Sequence, residues 1–315
     1  AKLLLVKGAG VNLPNKEGVS PLLVACCSGH ESTAKLLLVN GADLNLCNKD
    51  GNSPLLAACS NGYESTAELL LVNGADMNLC NKDEWTPLFA ACSNGHESIS
   101  YLLLVNGADM NLCNKNGNSP LFAACYNGHE STAELLLVNG ADLNLCNKDE
   151  WTPMFAACSN GHEMIAQILL VNGADMNLCN KTRNSPLFAA CYDGHESTAN
   201  ILLVNGADMN LMNKDEWTPL FAACYQGHES TAKILLVNGA DMNLMNKDEW
   251  TPLFAACYNG HERTAQLLLA NGANINLCNN NGNTPLFAAC YNRHESTAEL
   301  LLINDADANL CNKYG

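Results

Sequence analysis

The arrangement of apolar and polar positions along the chain repeats every 33 residues. A core of Ser or Thr, then Pro, then Leu or Met, then Phe or Leu occurs nine times at this spacing, with no insertion or deletion between copies. A fixed period of this length predicts a solenoid, in which each repeat packs only on its neighbours. The nine copies begin at Ser20, Ser53, Thr86, Ser119, Thr152, Ser185, Thr218, Thr251 and Thr284.

Each repeat predicts two short antiparallel helices. We number its positions as slots 1 to 33, so that in the repeat 48–80 Asn48 is slot 1 and Ser53 is slot 6. Ser or Thr at slot 6 followed by Pro at slot 7 is typical of a helix start. Gly at slot 15, as in Gly95, suits the left-handed end of that helix. A second helix is expected over Leu-rich residues such as 130–138, ending before Gly140.

The rest of each repeat is dense in Asn and Asp and leads through a turn, the finger (slots 1 to 5), to the next helix. The stretches Thr-Pro-Leu-Phe-Ala-Ala-Cys, Gly-His-Glu and Leu-Leu-Leu-Val-Asn-Gly-Ala-Asp-Met-Asn resemble the ankyrin repeat along the whole chain. Phe or Leu stands where that family usually has His after Thr-Pro-Leu. The resemblance implies an all-α repeat solenoid, an ankyrin-repeat array of helix-turn-helix units with projecting β-turn fingers.

We predict one continuous array over residues 1–315, because no linker interrupts the period. Residues 1–14 form a partial repeat, 15–311 form nine full repeats, here numbered one to nine, and 312–315 begin a further one. Since residues 1–6 enter midway through a second helix, the chain is expected to be a fragment of a longer protein.

The charge of the chain limits the classes of molecule that it is expected to bind. The net charge is −16, from 32 acidic and 16 basic residues, and the acids recur in fixed slots. Nucleic acid is therefore a poor partner. A basic peptide or protein face is compatible with the charge, while a solvated acidic surface that keeps the array soluble is the alternative. No apolar run approaches the ~18 residues of a membrane span, so insertion into a membrane is not expected.

Cysteine and histidine also follow the repeat. Of 17 Cys, nine occupy slot 12 and seven occupy slot 33, with Cys27 outside both sets. Cysteines at one slot of stacked repeats should lie ~8–10 Å apart, beyond the ~7 Å limit for a disulfide. We interpret them as reduced packing residues, which favours the cytoplasm, with the nucleus as the alternative. All eight His share slot 16 without a third ligand, so a structural role is expected, with no metal, no cofactor and no enzymatic activity.

The informative slots are those that vary. The resemblance implies that the finger and the end of the first helix line the concave surface that holds protein partners, and Trp and Tyr dominate binding hot spots. The alternative is that each Trp only stacks on a neighbouring finger or on its own loop. The predicted partner-binding residues are Trp85, Trp151, Trp217 and Trp250 at slot 5, Tyr126, Tyr192, Tyr225, Tyr258 and Tyr291 at slot 13, and Asp215 and Asp248 beside them.

Slot 4 of the finger is Gly in some repeats and Glu in those with Trp. Because Gly51 and Gly117 permit a backbone shape that Glu84 reaches only at a cost, two finger conformations are expected. We predict that the Glu fingers present their Trp outward.

The function expected from these patterns is a non-enzymatic protein interaction module that binds a protein or peptide through its concave groove, with repeats six to nine as the anchor. The array is expected to be monomeric. The alternative is a structural spacer or spring within a larger protein, which the uniformity of the repeats favours. A third hypothesis, implied by the resemblance, is hydroxylation of the Asn that closes Gly-Ala-Asp-Met-Asn, at Asn78, Asn111, Asn177, Asn210 and Asn243.

Overall fold

The structure is a computed structural model that describes residues 8–310, 312 and 313. The expected first residues of the array, 1–6, and the last two, 314 and 315, lie outside this part of the chain. The described residues fall into two compact units, divided between Pro153 and Met154, and each is considered by itself. The expectation of one continuous array stays a prediction.

The described residues form 18 α-helices and no β-strand, two helices in each of the nine repeats, which confirms the all-α fold. The first helices of the repeats are α1 (Pro21–Cys27), α3 (Pro54–Ser60), α5 (Pro87–Ser93), α7 (Pro120–Asn127), α9 (Pro153–Ser159), α11 (Pro186–Tyr192), α13 (Pro219–Gln226), α15 (Pro252–Tyr258) and α17 (Pro285–Tyr291). The second helices are α2 (Glu31–Val39), α4 (Glu64–Val72), α6 (Glu97–Val105), α8 (Glu130–Val138), α10 (Glu163–Val171), α12 (Glu196–Val204), α14 (Glu229–Val237), α16 (Glu262–Ala270) and α18 (Glu295–Ile303).

The helix ends follow the slot chemistry. At the start of α13 the Thr218 hydroxyl accepts a hydrogen bond from the Phe221 N–H at 3.1 Å, and Pro219 fills the first helical position. Beyond its end Gly227 has φ +79°, the left-handed conformation that only Gly adopts freely. The second helices end in the same way, as at Gly140 with φ +90°. The predicted starts and ends of both helices are confirmed.

Slot 12 lies at the centre of the packing. Within each compact unit a first helix packs on the first helices of its neighbours and on its own second helix. Leu121, Ala124 and Cys125 are fully buried there. Burial raises the pKa of the Cys92 thiol to about 12, so this thiol stays protonated. The packing role expected of the slot-12 cysteines is confirmed for all of them except the exposed Cys290.

The same expectation is wrong for slot 33. The described cysteines at this slot are exposed or half-buried, because the slot lies in the loop that leads to the next finger. Cys47, for example, has its thiol near the Asn45 carbonyl oxygen at 3.4 Å rather than in the core. All cysteines of the described residues are free thiols.

The fingers have one conformation whether slot 4 is Gly or Glu. Glu216 has φ +61° and Gly117 has φ +81°, and the N–H of each donates to the carbonyl oxygen of slot 1, at 3.1 Å and 2.7 Å. The side chain of the slot-1 Asn holds the turn: the Asn213 Oδ1 accepts the N–H of both Asp215 and Trp217. The expectation of two finger conformations is therefore wrong, because this shared turn imposes the left-handed conformation on Glu despite a cost of ~1–2 kcal/mol.

Two contacts join successive repeats inside each compact unit. The N–H of slot 2 donates to the carbonyl oxygen of slot 3 in the preceding finger, as from Lys82 to Asp50 at 2.9 Å. The imidazole Nε2 of slot 16 donates to the carbonyl oxygen of slot 13 in the preceding repeat, as from His261 to Tyr225 at 3.0 Å. The second contact confirms the structural role expected for His.

Candidate functional site

In each compact unit the candidate site is a groove between the fingers and the sides of the first helices that face them, slots 9 and 13. Trp85 and Trp151 belong to the first unit and Trp217 and Trp250 to the second, and all four are half-buried. The Trp217 ring centroid lies 4.7 Å from that of Phe221 and 4.8 Å from that of Tyr225, both on α13. Trp250 lies in the same way on α15, and Trp85 lies 4.9 Å from Phe89 on α5.

These positions correct the expectation that the Glu fingers present Trp outward. Each of the three indoles packs against the first helix of its own repeat, because slot 9 provides an aromatic ring within reach of the slot-5 side chain. Trp85 and Trp250 also line cavities of the groove. The Trp therefore contribute to the stability of their repeats and also form part of an accessible surface.

The exposure of the Tyr at slot 13 depends on slot 5 of the same repeat. Tyr225 and Tyr258 are half-buried because a Trp ring covers them. Where slot 5 is Asn, the Tyr is exposed: the exposed fractions are 44% for Tyr126 and 37% for Tyr192. The fraction is 74% for Tyr291, which lies in the last described repeat, where Phe287 and Cys290 are exposed as well. The predicted residues thus form two kinds of repeat, a Trp-Phe-Tyr cluster in repeats seven and eight and an open Tyr in repeats four, six and nine.

A further feature, which the sequence reasoning missed, is a change in the partner of the slot-1 Asn. Where slot 5 of one repeat is Asn, its side-chain oxygen accepts a hydrogen bond from the side-chain amide of the slot-1 Asn in the next repeat. Asn81 Nδ2, for example, donates to Asn52 Oδ1 at 2.9 Å. After a finger with Trp, that acceptor is missing. Among the described residues, the Nδ2 atoms of Asn114, Asn246 and Asn279 have no hydrogen-bond acceptor, although these residues are only 6–7% exposed.

Two cavities open in the groove where a Trp finger is followed by an Asn finger. One lies in repeats eight and nine, has a volume of about 470 Å³ and is lined by Trp250, Tyr258, Asn279 and Tyr291, among others. The other lies in repeats three and four and has a volume of about 420 Å³. Trp85 lines it in the position of Trp250, but Ser93 stands in the position of Tyr258. Both volumes fall in the ~300–1,000 Å³ range of ligand pockets.

The two predicted acidic residues differ in their partners. The Asp215 carboxylate lies 3.7 Å from the Lys247 Nζ of the next finger, and both side chains are largely exposed. Asp248 is also exposed, but slot 2 of the finger after it holds Asn280 instead of Lys. Over residues 8–310, 312 and 313, the Lys247–Asp215 contact is the only ion pair, so Asp248 has no cationic partner there. Asn280 instead of Lys is visible when slot 2 is compared among the repeats, so the sequence alone could have shown this difference.

The Asn residues expected as hydroxylation sites bridge successive repeats. The Asn78 Oδ1 accepts the Asp109 N–H at 3.2 Å, and the Asn111 Oδ1 accepts the Asp142 N–H at 3.2 Å. These bonds explain why the loop carries Asn. Hydroxylation of these residues stays a prediction.

Within the described part of the chain, no group of three His, Cys, Asp or Glu could hold a metal ion. Burial raises the pKa of the Cys224 and Cys257 thiols well above the usual range, so neither is an activated nucleophile. None of the helices in the described residues is both long and apolar enough to cross a membrane.

Comparison with known proteins agrees with this architecture. A family profile described as ankyrin repeats, three copies, matches overlapping segments at residues 1–79, 56–145, 96–178, 131–213, 162–246, 187–277 and 220–312. The chain is similar to a solved structure described as the crystal structure of the human ASB11 ankyrin repeat domain. The TM-score is 0.66 at 28% sequence identity, with 71% of this chain and 99% of that chain covered. No curated protein sequence matches the chain.

Proposed function

We propose that this chain, which belongs to the ankyrin repeat family, is a non-enzymatic interaction module that binds an extended segment of a protein partner in the groove. Ankyrin repeats are generally protein–protein interaction modules. The observation that carries the proposal is the pair of Trp-Phe-Tyr clusters in repeats seven and eight. Rigid aromatic side chains that are half-buried offer a large contact area at little entropic cost. A soluble monomer in the cytoplasm or nucleus stays the expectation.

The four Trp provide a direct assay, because all Trp residues of the chain lie at slot 5 of a finger. A phage library of random peptides would be selected on the 315-residue chain, and the enriched peptides titrated while Trp fluorescence is followed. The test variant is Trp217→Asn with Trp250→Asn. Asn is the residue of the other fingers at this slot, so the variant should fold, which circular dichroism melts would verify.

Loss of the two aromatic anchors should weaken binding by about 2 kcal/mol or more, about 30-fold. The matched control, Trp85→Asn, changes the same slot outside repeats six to nine and should have a smaller effect. Equal affinity of the double variant and the parent chain would place the site elsewhere and refute the proposal.

A spacer role is the second candidate, because each described slot-2 N–H bond between fingers, 2.9–3.3 Å long, ties one repeat to the next independently of any ligand. Failure to enrich any peptide over a chain-free control would favour the spacer. Enrichment of peptides that quench or shift the Trp emission would favour the groove.

A further inference from the structure

We propose that the cavity of repeats eight and nine binds an arginine side chain of the partner segment, stacked between two aromatic walls and paired with Asp248. The inference rests on the proposed function, since it assigns a chemistry to one position in the same groove. Three features of this cavity support it: the aromatic walls, an acidic side chain without a cation, and an amide donor without an acceptor.

The walls are built from rings of two successive repeats. On one side the Trp250 ring rests on Phe254 and Tyr258, with ring centroids 4.6 Å and 4.7 Å away. On the other side Phe287 and Tyr291 lie nearly parallel, with centroids 5.9 Å apart and an interplanar angle of 16°. A guanidinium group is planar and weakly hydrated, and it stacks on such ring faces better than an ammonium group does.

The acidic side chain has no ion pair among the described residues, and the finger that follows it has Asn280 instead of Lys at slot 2. In the preceding pair of fingers Lys247 lies beside Asp215, with 3.7 Å between Nζ and Oδ1. In the next pair Asn280 replaces that lysine, while its N–H keeps the backbone bond to the Asp248 carbonyl oxygen at 3.1 Å. Asp248 also lines the cavity. A cation supplied by the partner can therefore take the position that Lys247 takes beside Asp215, which agrees with the net charge of −16.

The amide donor belongs to Asn279, which is 6% exposed and lines the same cavity. Its Oδ1 accepts the N–H of Asn281 and of Asn283, both at 3.0 Å, while its Nδ2 has no acceptor within the described residues. In the described chain only the Thr198 hydroxyl is fully buried without a partner, so the Asn279 Nδ2 keeps some accessible surface, and Asn279 lines the cavity. A backbone carbonyl oxygen of a bound segment would accept from it and fix the arginine in register.

The cavity of repeats three and four provides an internal comparison. Trp85, the buried Asn114 and Tyr126 stand there in the positions of Trp250, Asn279 and Tyr291. Two lining residues differ: Ser93 replaces the ring of Tyr258, and slot 2 holds Lys115 instead of Asn280. A lysine at this position would repel an arginine from a partner. Selectivity for arginine is therefore assigned to repeats eight and nine alone.

The test is a titration of the ¹⁵N-labelled 315-residue chain with N-acetyl-arginine methylamide, followed by NMR of the four indole N–H signals. Single Trp→Asn variants assign the signals. The neutral control is N-acetyl-citrulline methylamide, which has nearly the same shape. We expect a saturable shift of the Trp250 signal with the arginine probe, and at least ~5-fold weaker binding of the citrulline probe.

Asn280→Lys is the decisive variant, because it restores the residue of the other fingers and should not disturb the fold. It should weaken arginine binding by at least ~5-fold, as should Asp248→Asn. The converse change, Lys115→Asn, should create arginine binding in the cavity of repeats three and four, observed as a shift of the Trp85 indole signal. Equal shifts with citrulline, equal shifts of all four indoles, or unchanged binding by Asn280→Lys would overturn the assignment.

The peptide selection separates this inference from the proposed function. Enriched peptides that depend on Trp217 and Trp250 but contain no more arginine than the library would refute the arginine site and leave groove binding intact. Enrichment of arginine that is lost when selection is repeated on Asn280→Lys would support both.

Discussion

Replacing Thr198 by Val should stabilise the protein. Thr198 lies on α12, is 1% exposed, and its hydroxyl is the one fully buried side-chain oxygen or nitrogen without a partner in the described residues. Burial of a hydroxyl without a hydrogen bond costs ~1–3 kcal/mol in mutational data. Val has nearly the same shape and the same branching at Cβ, so side-chain entropy is unchanged. The equivalent slot already holds Ile99 and Ile165, which are fully buried. We therefore expect a gain of ~1–2 kcal/mol.

The gain would be measured as a shift in the midpoint of urea unfolding, followed by far-ultraviolet circular dichroism, at an unchanged slope. Thr264→Val is the matched control: it has the same slot and the same 1% exposure, but its hydroxyl is not among the fully buried atoms without a partner. Thr198→Ser keeps the hydroxyl, loses a methyl group and should cost about 1 kcal/mol. Equal gains for Thr198→Val and Thr264→Val would show that added apolar volume, not the hydroxyl, sets the stability, and would refute the argument.

Three further outcomes are expected. Glu216→Gly should stabilise the chain by about 1 kcal/mol, because residue 216 has φ +61° and Gly alone takes this conformation without strain, whereas Glu216→Ala should give no gain in thermal unfolding. Burial raises the pKa of the Asp193 carboxyl, against the opposing charges of His195 and His228, so its charged form destabilises the fold. Asp193→Asn should therefore be more stable than the parent at pH 7, with the difference vanishing as the pH falls below 3.8, the usual pKa. Burial lowers the pKa of His261, so the urea midpoint of the parent chain should fall as the pH drops below 6.5, and that of His261→Gln should fall less. Identical pH profiles of the two chains would contradict this.

Most of the fold could be predicted from the sequence because it depends on local chemistry that recurs at a fixed spacing. The hydroxyl of slot 6, the Pro of slot 7 and the Gly of slot 15 each act within one or two turns of helix. The expectation about the fingers was wrong because their conformation depends on interactions beyond a single residue. The cost of a left-handed Glu can be judged at one residue, but the hydrogen bonds that outweigh it come from Asn213 and involve the whole turn.

The site was predictable in its residue types but not in its geometry. The sequence column identifies Trp and Tyr as the variable aromatic residues, yet it does not show that Trp217 packs on Phe221, which column reasoning treats as invariant core. The exposure of Tyr126, 44%, and the half-burial of Tyr258 follow from slot 5 of each repeat, eight residues earlier. The effect of the slot-5 residue on the slot-13 Tyr becomes visible only in the structure, where the Trp ring packs against the helix that carries the Tyr.

The exchange of Asn and Trp at slot 5 changes stability and binding together. An Asn finger closes a hydrogen bond to the next repeat, as from Asn147 Nδ2 to Asn118 Oδ1 at 2.9 Å. A Trp finger gives up that bond, gains a ring stack on its own helix and leaves the next amide open to the groove. Because both kinds of finger form the same backbone turn, an array can alternate the two residues without losing its fold. Where the Trp85 and Trp250 fingers are followed by an Asn finger, a cavity with an unused donor is present, and the residue at slot 2 sets its charge, as Lys115 and Asn280 do. The specificity of such an array can therefore change through slots 2 and 5 alone, while the slots that form the core stay constant.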